Sequence, residues 1–157
     1  METQKIEIEY RIFSGLEEME NADRELALAA ISAMQGAYAP YSHFHVGAAV
    51  RLEDGTIVKG ANQENAAFPS GICAERTAMF SAGATYPAKA MTEIAIAGGV
   101  MGMLGTNPAA PCGACRQVMA QYQAKSGRPL AILLVSKDKI LKFNRVDDLL
   151  PFIFDNI

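Results

Sequence analysis

Val46-Gly47-Ala48-Ala49-Val50-Arg51-Leu52-Glu53-Asp54-Gly55-Thr56-Ile57-Val58-Lys59-Gly60 reads as two strands, Val46 to Leu52 and Thr56 to Gly60, joined through Asp54-Gly55. An Asp-Gly pair between apolar runs signals a hairpin, because both residues tolerate the positive φ of a tight turn. The core sheet is therefore expected to start antiparallel. Upstream, Asn21 reads as the N-cap of a helix running to about Ala37. Ala22, Leu26, Ala30, Ala33 and Ala37 line one face of it, and Gly36 and Pro40 lie around its end. Before it, Ile6, Ile8, Tyr10 and Ile12 alternate with polar residues, as a short strand does. Downstream, polar and turn-rich Asn62 to Gly71 leads to a second helix, Cys73 to Ala82, and then to a buried-looking strand, Thr92 to Ala97. Gly98 to Pro111 lacks a period and reads as a loop that delivers Cys112 to a third helix ending near Tyr122. Ala131 to Ser136 and Ile140 to Asn144 are the last strands. Strands alternating with helices predict a three-layer α/β fold, with helices on both faces of a mixed sheet.

The chain has 157 residues and a formal net charge of -3, with half of its residues apolar. That length predicts one domain over 1–157 with a real core, residues 1–20 being an N-terminal extension that carries the short strand. An isoelectric point near 5.4 gives no basic surface for polynucleotide phosphates, so a small-molecule substrate is expected, with no nucleic acid partner. Met1 to Tyr10 lacks the basic start and apolar stretch of a signal peptide, and runs such as Leu26 to Met34 are too short to cross a bilayer. A cytoplasmic protein without a membrane span is expected. Three cysteines cannot all pair, which fits a reducing compartment that keeps thiolates available for metal.

Those cysteines are Cys73, followed two residues later by Glu75, and Cys112 and Cys115 in a Pro-Cys-x-x-Cys run. Two thiolates three apart can grip one metal, and a third from elsewhere leaves the fourth tetrahedral position of zinc open for water. Glu75, beside a ligand without being one, is then the natural base for that water, as in zinc nucleobase deaminases. Helix starts at Cys73 and at the Cys112/Cys115 pair would aim N–H groups at the sulfurs and favour thiolate. On an ideal helix beginning at Cys73, the Cys73 and Glu75 side chains would stand about 200° apart. Three thiolates around a zinc dication leave a net charge of -1, so a cation is expected nearby. Arg76 is expected to hydrogen-bond to a ligand sulfur, and Arg116 is the other candidate. Alternatives remain at this level: Cys-x-x-Cys runs also serve redox work, and a closed structural zinc site would need a fourth ligand, for which His43 and His45 are available.

The motifs together resemble the small three-cysteine cytidine deaminases. The matching runs are Ala39-Pro40-Tyr41-Ser42-His43-Phe44, Val46-Gly47-Ala48-Ala49, Asn62-Gln63-Glu64-Asn65-Ala66-Ala67, Cys73-Ala74-Glu75-Arg76-Thr77-Ala78, Pro111-Cys112-Gly113-Ala114-Cys115-Arg116-Gln117 and Leu149-Leu150-Pro151. The resemblance implies a five-stranded mixed sheet between helices and a homotetramer. It also implies hydrolysis of cytidine and deoxycytidine to uridine and deoxyuridine plus ammonia, in pyrimidine salvage. By resemblance, Cys73, Cys112 and Cys115 hold one Zn2+ per subunit and Glu75 shuttles protons. Asn62 and Glu64 match the pair that binds the ribose 3'-hydroxyl, Phe44 the aromatic that packs on the pyrimidine, and Ala74 a backbone contact to the base. Phe154 matches an aromatic that completes a neighbour's pocket. Phe68 stands where the family commonly has Tyr at that interface, and His45 where many members have Pro. The nearest rivals are another zinc deaminase specificity, a polynucleotide deaminase, and a non-catalytic zinc or redox protein.

Overall fold

The computed structural model describes residues 1–155. The first strand, β1, is Tyr10–Phe13, and the first helix, α1, is Asn21–Ala33. The hairpin forms as expected from β2, Phe44–Leu52, and β3, Ile57–Ala61, with Gly55 at a φ of 88° in its turn. Next come α2, Ala74–Thr85, and β4, Met91–Val100. α3, Gly113–Ser126, β5, Ala131–Val135, and β6, Ile140–Phe143, complete the order. Asn21 is the first helical residue of α1 rather than its cap, which is Glu20, and the last turn tightens into a 3-10 segment over Met34–Gly36.

The sheet has six strands in the order β1-β6-β5-β4-β2-β3, not the five that the resemblance implied. The additional one is the N-terminal strand: β6 would otherwise be an open edge, and β1 pairs along it, stacking Tyr10 on Phe143 at 5.3 Å between ring centroids. Among the described strands only β4 and β5 pair in parallel, as a strand–helix–strand crossover through α3 demands; the other strand pairs are antiparallel.

Side-chain alternation splits the core between two faces. Ala48, Val50, Ile94, Ile96, Ile132 and Leu134 pack with residues of α2 and α3, whereas Ala49, Ala95, Ala97, Leu133 and Val135 pack with α1. Strands buried on both faces read as continuous apolar runs, and the result is the expected three layers. Two glycines set the spacing of these layers. A Cβ on Gly47 would lie 2.2 Å from the Ala30 carbonyl oxygen in α1, and one on Gly60 would lie 2.4 Å from the Ala78 nitrogen in α2. Among the described residues, no helix is long and apolar enough to cross a membrane.

Candidate active site

α2 and α3 both begin at a cysteine. Cys73 and Cys112 are their N-caps, each with an extended backbone, and Cys115 is buried in the first turn of α3. Cys73 thus precedes its helix, so the ideal-helix angle between it and Glu75 does not apply. The N-terminal ends of two helices meet over one point, and their unpaired N–H groups favour negative charge on sulfur there.

The Cys73 and Cys112 sulfurs are 3.9 Å apart, those of Cys112 and Cys115 are 3.5 Å apart, and all three lie within 4.8 Å of one another. Zinc–sulfur bonds of about 2.3 Å at tetrahedral angles place sulfurs about 3.8 Å apart. The trio therefore fits one zinc ion. Neither His43 nor His45 belongs to this group of donors, so the described residues supply three ligands, as an open site requires. Hydrogen bonding to Cys115 brings the Cys73 thiol down to about 5, against the effect of burial and with help from Arg76 and Cys112. Cys115 moves the other way, because its hydrogen bond to Cys73 and its burial favour the neutral thiol. One thiolate in the trio is thus stabilised by its neighbours even before a metal shares the charge.

Arg76 points back across the first turn of α2, its Nη2 at 3.6 Å from the Cys73 sulfur and its Nε buried without a partner. Arg116 does something else: its Nε donates to the Pro111 carbonyl at 2.9 Å and its Nη1 to the Leu149 carbonyl at 2.8 Å. It ties the approach to α3 to the C-terminal segment.

Glu75 is only 4% exposed. Burial, with the Cys73 charge adding to it, raises its carboxyl above the ordinary glutamate range. It opens on a cavity of about 190 Å³ that Phe44, Asn62, Cys73, Ala74 and Cys112 also line. Four predicted site residues and two sulfurs thus share one small space. Val46, Ile96, Ala109 and Ala110 complete its walls, and sequence reasoning had named none of them for the site. The small pair Ala109-Ala110 just before Pro111-Cys112 was the available signal.

Asn62 also lines a larger cavity of about 560 Å³, and Glu64 lines that one and not the smaller. The Glu64 carboxylate accepts from the Tyr41 and Ser42 amides at 2.9 and 3.2 Å and from the Ser42 hydroxyl. The Ser42 hydroxyl, with these amides, holds the Glu64 carboxyl below its ordinary value. Ser42 Oγ in turn accepts from the Phe44 amide at 3.0 Å, a role that nothing in the residue type announced. Phe68 lines the larger cavity but not the smaller one; it is 77% exposed and meets Tyr41 edge to face. Phe154 lines neither. It is 69% exposed, with its backbone held by both ends of the Gln117 amide.

Residues 20–127 match the family described as the cytidine and deoxycytidylate deaminase zinc-binding region. The chain is 47% identical over 100 residues to the cytidine deaminase of Halalkalibacterium halodurans, covering 63% of this chain and 71% of that protein. It is 34% identical over 125 residues to the cytidine deaminase of Mycobacterium tuberculosis, covering 80% of this chain and 84% of that one. The crystal structure of cytidine deaminase from Burkholderia pseudomallei superposes with a TM-score of 0.70 at 40% identity, over 87% of this chain and 100% of that one.

Proposed function

This chain belongs to the cytidine and deoxycytidylate deaminase family, and from that premise we propose that it hydrolyses cytidine and deoxycytidine to uridine and deoxyuridine with release of ammonia. The observation that carries this is the buried Glu75 sharing one small cavity with Cys73 and Cys112, two members of the zinc-fitting trio. Cys73, Cys112 and Cys115 would hold one zinc ion per subunit, which when bound supplies the Lewis acidity that makes a water acidic near neutral pH.

Glu75 does the proton work. Replacing an amine by water on the pyrimidine needs a proton taken from the attacking water, that proton placed on the ring nitrogen, and a second moved from the added hydroxyl to the leaving amine. A single carboxyl able to hold a proton between steps can serve all three, and burial, which raises its affinity for that proton, suits Glu75 to it. Phe44 offers an aromatic face to the base, and the Ala74 backbone is in reach of its polar edge, which would be costly to leave unpaired. The cavity suits a base with its sugar projecting outward, where Asn62 and Glu64 would meet the 3'-hydroxyl. A carboxylate at that position and a net charge of -3 favour a free nucleoside over a polynucleotide.

Phe68 and Phe154, large and exposed, suit a homotetramer in which each completes a neighbour's pocket. That chemistry suits a role in pyrimidine salvage, and three free thiols kept for metal suit a reducing compartment such as the cytoplasm. The test is ammonia release from cytidine by zinc-loaded protein, run beside Glu75→Ala at equal zinc content. Loss of a proton shuttle should cost at least about 10²- to 10⁴-fold in rate. An active Glu75→Ala protein would remove the assigned role, and an inactive zinc-loaded parent would remove cytidine as the substrate.

A further inference from the structure

β1 precedes the family-matched region, which begins at residue 20. Among the described residues it pairs along one edge only, with β6, and it ends the strand order, which leaves its other edge without a strand. The chain here runs Lys5-Ile6-Glu7-Ile8-Glu9-Tyr10-Arg11-Ile12-Phe13, alternating polar and apolar residues as far as Ile12. Ile8, Tyr10 and Ile12 are all exposed, Ile12 at 61%. Tyr10 and Ile12 pair with Phe143 and Leu141, both packed in the core beneath α2 and α3, so the exposed apolar row continues that face of the sheet. A free edge of this kind is a template for another strand, and native edges are usually blunted by charge.

Among two-fold axes placed from Ile8 to Ile12, the charges oppose three, leave the one at Ile12 neutral and favour one. In an antiparallel pair about a two-fold axis at Ile8, Glu7 would face Glu9 and Lys5 would face Arg11. An axis at Glu9 or at Arg11 sets that residue against its own copy. An axis at Tyr10 sets Glu9 against Arg11 twice, Ile8 against Ile12 twice and Tyr10 against Tyr10, with no like charges opposed. We propose that the free edge of β1 docks a second copy of this chain, antiparallel about a two-fold at Tyr10, so that two sheets become one. Phe68, which follows β3 at the other end of the strand order, lies away from this contact. The docking does not rest on the deaminase chemistry.

Facing Cα atoms in an antiparallel pair are about 4.5–5.5 Å apart, within the roughly 4.4–6.8 Å that a disulfide spans. Full-length, zinc-loaded Tyr10→Cys protein treated with diamide should therefore give a covalent dimer, with the link between the two introduced thiols identified by peptide mass. Adding Glu9→Arg or Arg11→Glu to that background opposes like charges twice and should slow linking by about tenfold. An equimolar mixture of the two charge variants restores opposite charges and should recover the parent rate, with the linked product a heterodimer. Absence of the link in folded protein overturns the proposal. So does linking at one rate in every charge variant, which marks chance collision, and so does capture of a different protein's strand while the purified chain stays unlinked.

Discussion

Asn62 pins Phe44 to the end of β3: its Nδ2 donates to the Phe44 carbonyl at 2.9 Å while its Oδ1 accepts from the Val46 amide at 2.8 Å. The Phe44 amide is held separately, through Ser42, by Glu64. The two residues proposed to meet the sugar are thus also the ones that fix the aromatic proposed to meet the base. Binding of sugar and base is coupled through the backbone of Phe44.

Asn62→Ala should therefore lose stability as well as affinity. Two main-chain groups lose their partners, a cost of about 1–3 kcal/mol. The midpoint of urea unfolding should fall, and KM for cytidine should rise more than kcat drops. An unchanged midpoint would show that the amide does not brace β2.

Gly60→Ala should disturb the metal site without touching a ligand. The new methyl would meet the Ala78 nitrogen at 2.4 Å and the Ala74 carbonyl oxygen at 2.8 Å, both main-chain atoms of α2, so the helix itself must move. Overpacking of this kind costs about 1–3 kcal/mol. Because α2 carries Ala74, Glu75 and Arg76 and is capped by Cys73, zinc affinity should fall along with thermal stability. Retention of parental zinc affinity in a destabilised protein would mean that the helix start is held independently of β3.

Where the sequence was legible, local pattern and tertiary contact agreed. The Asp54-Gly55 hairpin and the cysteine spacings are of that kind, since turn chemistry and ligand type act over a few residues. Strand lengths were not. Alternation from Ile6 to Ile12 predicted a longer first strand, but β6 is four residues long, so pairing starts only at Tyr10. Gly98 and Gly99 read as loop, yet they pair with Val46 and His45 at the end of β4. A Cβ on Gly99 would lie 1.8 Å from the Met103 carbonyl oxygen, so glycine is needed there for close approach and not for a turn. At the site, residue type pointed to the sulfurs, which the fold gathers, and to Glu75, which it buries beside them. The separate tasks of Arg76 and Arg116 depended on which way each side chain crosses its helix.

Lys142 links α1 to the sheet and should give stability an alkaline limit. Its ammonium lies 2.7 Å from Asp23 and 3.1 Å from Glu93. Burial works against its charge, but the Asp23 hydrogen bond and the Glu93 charge outweigh it and raise its pKa above the ordinary lysine value. A raised lysine holds its proton more tightly in the folded state, so its contribution is complete below about pH 10.4 and is lost as pH climbs through the folded pKa. Denaturant midpoints between neutral pH and about pH 11.5 should decline for the parent relative to Lys142→Met. That variant should itself be weaker at neutral pH by about 3 kcal/mol, since it leaves two buried carboxylates short of a partner. Parallel pH profiles for the two proteins would exclude Lys142 as the cause.

Arg76 and Arg116 each follow a cysteine-bearing helix start closely in sequence, and they should fail differently. Arg76→Gln removes the cation 3.6 Å from the Cys73 sulfur. Loss of such a partner typically costs about 10- to 100-fold in metal affinity or activity. Competition with a chelator should show that loss, with little change in unfolding of the zinc-free protein. Arg116→Gln should leave zinc affinity near the parental value and lower stability, because the carbonyls of Pro111 and Leu149 lose a charged donor. If both variants lost zinc equally, charge at the sulfurs would not distinguish them. The integrity of the two helix starts would then control the metal, since each substitution disturbs one of them.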